Sequence, residues 1–167
     1  MAFSKLVQER YSVRGYKSDP VADDKIQQVL EAARWAPTAA NRQRFQLIVI
    51  HTKGREEELR RIYDKDWFVQ PPIVICACRY PMDAAHKRKD YTDVDMGIVI
   101  DHLILAAAEL GLGTCWIGAF DPVAAHEILG LPDEVEPVVF TPLGYPDAPP
   151  RPKQRKPLSE LVRYEHW

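Results

Sequence analysis

Between positions 93 and 110 the sequence reads Asp-Val-Asp-Met-Gly-Ile-Val-Ile-Asp-His-Leu-Ile-Leu-Ala-Ala-Ala-Glu-Leu, and no other segment constrains the fold as much. Met96, Val99, Ile100, Leu103, Ile104, Ala106, Ala107 and Leu110 recur at helical spacing, yet they nearly surround the axis. A helix apolar on most sides is buried on most sides. The chain has 167 residues, the size of one ordinary domain. A domain this small covers a central helix over only part of its circumference. The segment therefore predicts a helix packed on its own core along one side and on a second subunit along another. Gly111 is a suitable stop.

Elements of both kinds flank this helix. Phe3, Leu6, Val7 and Arg10 predict a short first helix. Ile26, Val29, Leu30 and Ala33 predict a second, ended by Pro37. Residues 45–51 read as a strand, and 54–64 as a charged surface helix with Leu59 and Ile62 turned inward. The apolar run 73–78 suits a strand covered on both faces. Residues 114–117 form another extended segment, and Asp121-Pro122 caps a short helix closing at Gly130. Residues 135–143 predict a last strand, which Pro137 and Pro142 place near an edge. Five prolines between 146 and 157 exclude a helix there and predict an extended arm, followed by a docked turn at Pro157-Leu158-Ser159-Glu160-Leu161-Val162. The order predicts a single domain over 1–167, α+β or α/β, with helices on both faces of one sheet.

Composition excludes several function classes. The formal net charge of −2 gives no overall drive toward nucleic acid or an anionic membrane. No apolar stretch has the length of a membrane span, and the first ten residues lack the continuous apolar core of a secretory signal. The expectation is a soluble chain. Three cysteines, Cys76, Cys78 and Cys115, do not make a disulfide framework. They suit a reducing, cytoplasmic compartment. Cys76 and Cys78 share one face of a strand and read as small buried hydrophobes, with no metal expected.

Four segments have the composition of a binding site. In Arg10-Tyr11-Ser12-Val13-Arg14, two guanidinium groups and a hydroxyl suit a phosphate ester. Taken alone, a solvated helix end accounts for them at least as well. Lys153-Gln154-Arg155-Lys156 is a basic run on the arm, and an anion shared with Arg10 and Arg14 would give that arm a reason to be ordered. Residues 36–43, Ala-Pro-Thr-Ala-Ala-Asn-Arg-Gln, are small and polar, fit either for a flat ligand or for an ordinary loop. Residues 111–120, Gly-Leu-Gly-Thr-Cys-Trp-Ile-Gly-Ala-Phe, end in Gly-Ala, where backbone N–H groups can face a ring unobstructed. No nucleophile or metal constellation emerges from His51, His86, His102, His126 and His166. His102 reads as a satisfied interior histidine, and Asp23-Asp24 and Asp93/Asp95 as helix N-terminal charges. Anion anchors without acid–base machinery suggest that a cofactor carries the chemistry.

In this order the four segments resemble the nitroreductase family over residues 6–161. Glu-Arg-Tyr-Ser-Val-Arg-Gly-Tyr is similar to the family's opening, and Ala-Pro-Thr-Ala-Ala-Asn-Arg-Gln-Arg-Phe to its Ala-Pro-Ser-x-x-Asn-x-Gln-Pro-Trp loop. Asp-Met-Gly from Asp95, the helix after it and Gly-Leu-Gly-Thr-Cys-Trp-Ile-Gly resemble the family's long dimer helix and following strand. Leu-Gly-Tyr-Pro with Lys-x-Arg-Lys-Pro-Leu resembles its C-terminal signature.

The resemblance implies an α+β, three-layer fold: a central mixed sheet covered by helices, in an intertwined homodimer. It implies FMN held between two subunits, with NAD(P)H as electron donor and a nitroaromatic, quinone or similar small molecule as acceptor. Arg10, Tyr11, Ser12 and Arg14 would hold the phosphate and ribityl chain, with Lys153 and Arg155 closing on the phosphate. Pro37, Thr38, Ala39 and Asn41 would reach the flavin ring from the partner subunit, and Ile117, Gly118 and Ala119 would lie beside its reactive edge. Apart from the resemblance, the segment 63–70, with Trp67 and Phe68, is expected to form the wall of the substrate pocket, and Phe120 is either a further lining residue or core. No catalytic side chain is implied, since FMN carries the reaction. The same fold also serves reductive dehalogenation, flavin breakdown and dehydrogenation, and a flavin-binding protein without turnover is a further alternative. Arg44-Phe45 and Thr38 depart from the family's Pro-Trp and Ser.

Overall fold

The computed structural model describes residues 2–81 and 90–167; His86 lies outside them. Seven α-helices and four strands, with one 3₁₀ helix at Ala39–Asn41, follow one another among these residues. They are α1 (Phe3–Glu9), α2 (Asp23–Arg34), β1 (Phe45–His51), α3 (Glu56–Arg60), α4 (Asp66–Val69), β2 (Ile73–Arg79), α5 (Thr92–Glu109), β3 (Gly113–Thr114), α6 (Pro122–Leu129), β4 (Glu136–Gly144) and α7 (Leu158–Leu161). The strands form one sheet in the order β1-β2-β4-β3. All three pairings are antiparallel, and the parallel component is the bridge between Ser12 and Thr114.

Alternation along β2 divides the core in two. Ile73, Ile75 and Ala77 turn to one face, where they meet Val29 and Ala33 of α2 and Met96, Val99, Ile100 and Leu103 of α5. Val74, Cys76 and Cys78 turn to the other, against Leu59, Phe68, Ala125 and Phe140. Both faces of the strand are filled, so its sequence is continuously apolar rather than alternating. Helices on the two sides of the sheet make three layers. Cys76 and Cys78 are fully buried with their Sγ atoms 3.5 Å apart. Their mutual hydrogen bond, reinforced by burial, pushes the Cys76 thiol well above its ordinary range.

The strand at 136–144 is not at an edge, as its prolines had suggested. β4 runs between β2 and β3. It tolerates Pro137 and Pro142 because its ladders are interrupted there. Pro137 sits where the register with β2 shifts, opposite Cys78. Pro142 falls in the gap between the Leu143–Thr114 pair and the Phe140–Ile117 bridge. The missing proline N–H groups therefore cost no ladder bond on that side.

Local signals set the helix boundaries. The Asp121 carboxylate caps α6 by accepting from Val123 N at 2.9 Å and Ala124 N at 3.0 Å, with Pro122 at the first helical position. Gly130 closes it in the left-handed region at φ 61°. α5 is long and apolar, yet on the face away from the core Val94 is 52% exposed. Leu105 and Ala108 are half-buried along the same stripe, which the exposed Asp101 interrupts, while the half-buried Ile98 packs against the core. The charged segment at 54–64 forms helix only over the five residues of α3. The turn at 158–161 does not dock on its own chain: Leu158 and Leu161 of α7 are 75% and 62% exposed.

The segment joining α1 to α2 is fixed on both sides. On one, Val13 N donates to Thr114 O at 2.9 Å. On the other, Lys17 N donates to Tyr145 O and Asp147 N to Gly15 O, both at 2.9 Å. Tyr11 adds its hydroxyl, donating to the Ala148 carbonyl at 3.0 Å. Close approach is built in at Gly113, where a Cβ would stand 2.7 Å from Val13 Cγ2. Gly113→Ala should lower stability by about 1–3 kcal/mol through overpacking. Val13→Ala in the same background should restore part of that loss, as read by denaturant unfolding of both variants.

Candidate functional site

The double fastening of residues 11–17 brings two basic stretches together. Arg10, Tyr11, Ser12 and Arg14 form one wall of a cleft of about 220 Å³, and residues 151–155 form the other. Residues 149–157 are exposed and carry no helix or strand, so their placement rests on the latch at 145–148 and on contacts to the cleft. Lys153 Nζ donates to the Gln8 carbonyl, tying the arm to α1.

The charges here contrast with those elsewhere. Arg34, Arg55, Arg60, Arg61 and Arg79 each meet a carboxylate. Among the described residues, none of Arg10, Arg14, Arg151, Lys153 and Arg155 does, and no carboxylate lines the cleft. Arg10 Nε is buried without a hydrogen-bond partner. A buried donor without an acceptor costs about 1–3 kcal/mol, and an anion in the cleft would offset it. The Arg14 guanidinium lies over the Trp67 ring, 5.8 Å from its centroid. Beneath the cleft, burial pushes the Cys115 thiol up, although Arg14, Ser12 and Arg10 oppose the shift. Cys115 is 2% exposed and stays a neutral thiol.

Residues 36–43 form a turn around a short 3₁₀ helix at Ala39–Asn41. Ala40, Asn41 and Gln43 have φ of 54°, 53° and 50°, a region that side chains with a Cβ rarely occupy. Hydrogen bonds hold the shape. Asn41 N donates to Thr38 O at 2.9 Å and Gln43 N to Thr38 Oγ1 at 3.1 Å. The Asp95 carboxylate, from the first turn of α5, accepts from Ala39 N at 2.8 Å. Asp95 is 7% exposed, so it is a clamp on this loop as well as a helix N-terminal charge. Its fellow Asp93 pairs with Arg79 at 2.8 Å. Pro37, Ala40 and Asn41 are exposed, available to a neighbouring surface.

At 117–120 the expected residues separate. Ile117 is 5% exposed, and its N–H and carbonyl are both bonded to Phe140, at 2.9 and 3.0 Å. Its N–H therefore cannot face a ligand. Gly118 and Ala119 are exposed, and among the described residues their N–H groups have no acceptor. Phe68, expected in a pocket wall, is fully buried in edge-to-face contact with Tyr63 and Phe140. Trp67 and Phe120 are half-buried. His102 Nδ1 lies 3.0 Å from the Ile98 carbonyl of its own helix. Sequence reasoning missed Asp95 as a clamp and Arg151 as a cleft residue. For Arg151 the signal was present, one more cation on an arm already basic.

The nitroreductase family model matches residues 7–67 and 60–145. The chain belongs to the nitroreductase family. It is 29% identical to FMN reductase [NAD(P)H] of Bacillus subtilis, over 98% of this chain and 73% of that protein. It is 27% identical to an NADH dehydrogenase of Thermus thermophilus, covering 92% and 91%. The crystal structure of a nitroreductase family protein from Clostridium difficile superposes with a TM-score of 0.86 at 36% identity, covering all of both chains.

The loop clamp gives a direct test. Asp95→Ala should cost about 1.5–3 kcal/mol, the range for a hydrogen bond to a charged group. Amide exchange at Ala39 should quicken, while Asp95→Asn, which keeps an acceptor, should lose less on both measures.

Proposed function

We propose that this chain is an FMN-dependent oxidoreductase that takes hydride from NAD(P)H and delivers it to a nitroaromatic, quinone or similar acceptor. The carrying observation is the cleft where a nitroreductase-family chain brings Arg10 and Arg14 against Lys153 and Arg155 without a counter-charge. The name of its Bacillus subtilis relative agrees, being that of an FMN reductase acting with NAD(P)H. The residues fit such a cofactor. Arg10, Ser12 and Arg14 offer forked and single donors to a phosphate, with Lys153 and Arg155 across the cleft. Tyr11 keeps the arm in place through Ala148.

When bound, FMN supplies the hydride chemistry, accepting two electrons from the nicotinamide and passing them to the acceptor. The chain binds and orients. Gly118 and Ala119 present free N–H groups on an unobstructed backbone, suited to the reactive edge of the ring. Ile117 supports them from the core. Pro37, Thr38, Ala39 and Asn41, in a loop shaped before any ligand arrives, reach the ring from the partner subunit. Trp67 and Phe120 border the acceptor's approach, with Phe68 behind them. A fixed loop lowers the ordering cost of binding.

The pairing of subunits runs through α5. Val94, Leu105 and Ala108 leave apolar surface on a helix whose other side is core. A second copy covers it, and the exposed apolar residues of α7 find cover there too. Three free cysteines suit a reducing, cytoplasmic setting.

The purified protein should be yellow and release FMN. Arg10→Ala and Arg14→Ala should each weaken FMN binding by about 1.5–3 kcal/mol, with far less effect on unfolding. Titration of the stripped variants with FMN checks this, and wild-type affinity in both would remove these residues from the phosphate site. Light scattering should give the mass of a dimer, and Leu105→Arg should shift it toward monomer with a loss of bound flavin.

A further inference from the structure

The cleft holds more positive charge than one phosphate group needs. Arg10, Arg14, Arg151, Lys153 and Arg155 line it, with no carboxylate among the lining residues. A phosphate monoester carries about 1.5 to 2 negative charges at neutral pH. One flavin phosphate therefore leaves some three of the five positive charges uncompensated. Of the arm cations, Lys153 donates to the Gln8 carbonyl and Arg155 to the Gln154 carbonyl at 2.8 Å. Arg151 is exposed, and among the described residues it has no ion-pair or hydrogen-bond partner.

The geometry points to a second phosphate monoester in this cleft, bound by Arg151 and supplied as the 2′-phosphate of NADPH. This assignment rests on the reading of the chain as a flavin-dependent NAD(P)H oxidoreductase. NADPH and NADH differ only by that 2′-phosphate. The diphosphate is common to both donors and so confers no preference between them. Two monoesters together come close to neutralising the five cations, and one does not. The planar fork of an arginine suits a terminal phosphate with three free oxygens. The enzyme is accordingly an NADPH-preferring one, and Arg151 is its specificity-determining residue.

The test uses FMN-loaded protein with its flavin-to-protein ratio measured first. Single-turnover bleaching of the flavin gives apparent dissociation constants for NADPH and NADH. Calorimetry gives the binding of 2′-AMP, 5′-AMP and inorganic phosphate without turnover. NADPH should bind roughly ten- to a hundredfold more tightly than NADH, the range expected for a charge-assisted contact. Arg151→Ala should abolish most of that ratio at wild-type flavin content, and Arg151→Lys should keep part of it. 2′-AMP should outbind both 5′-AMP and inorganic phosphate. Equal affinities for the two donors would overturn the inference, as would a ratio indifferent to Arg151→Ala in protein that retains FMN. Binding of 2′-AMP no tighter than inorganic phosphate would reduce the cleft to a site for any free anion and overturn it too. Protein that takes up no FMN fails differently, because the flavin reading then falls and this inference falls with it.

Discussion

The site depends on how residues 11–17 are held between two partners. On one side lies β3, with Val13 bonded to Thr114 and seated against Gly113. On the other lies the root of the C-terminal arm, fastened at Tyr145, Asp147 and Ala148. Neither contact is a long strand ladder, and each uses only a few hydrogen bonds. Between them they decide where Arg10, Ser12 and Arg14 stand and which surface the arm must cross. The large core clusters on either side of the sheet supply stability. This narrow strip converts it into a cleft.

That cleft runs against the rest of the molecule electrostatically. Away from it, Arg34, Arg55, Arg60, Arg61 and Arg79 are matched to carboxylates, and β2 ends with Arg79 between Asp93 and Glu136. Inside it, cations face one another and a buried guanidinium nitrogen lacks an acceptor. Like charges placed together oppose folding, and an unpaired buried donor adds to the cost. The Trp67 face relieves Arg14 only in part. An anion in the cleft would offset that cost. Perturbed, unbalanced groups mark functional sites for this reason.

Much of the fold was legible because local signals and packing agreed. The stripe of α2, the continuous apolar run of β2 and the Asp121-Pro122 cap each pointed to one structure, and each formed. The family and its cofactor were legible from the order of four short segments. What was missed depended on tertiary context. The prolines of β4 suggested an edge, because sequence does not reveal that a neighbouring ladder has gaps where they fall. The resemblance set Ile117 beside a ligand and the 63–70 segment set Phe68 in a pocket wall, yet the pairing of Ile117 with Phe140 and the packing of Phe68 on Tyr63 and Phe140 turn both into the core. Asp95 looked like an ordinary helix charge, because its partner at Ala39 is 56 residues distant. The α7 turn was expected to dock, and its exposed leucines show that its own chain offers no seat.

The bond from Tyr11 to Ala148 joins residues 137 apart in sequence. Contacts of such separation carry a large loop-closure entropy and form late in folding. A chain emerging from the ribosome can assemble helix α2 and strands β1 and β2 while the other half of the cleft is still unsynthesised. Residues 151–155, the second cationic wall, follow all four strands in sequence, so the cleft is completed only after every residue of the sheet has been made.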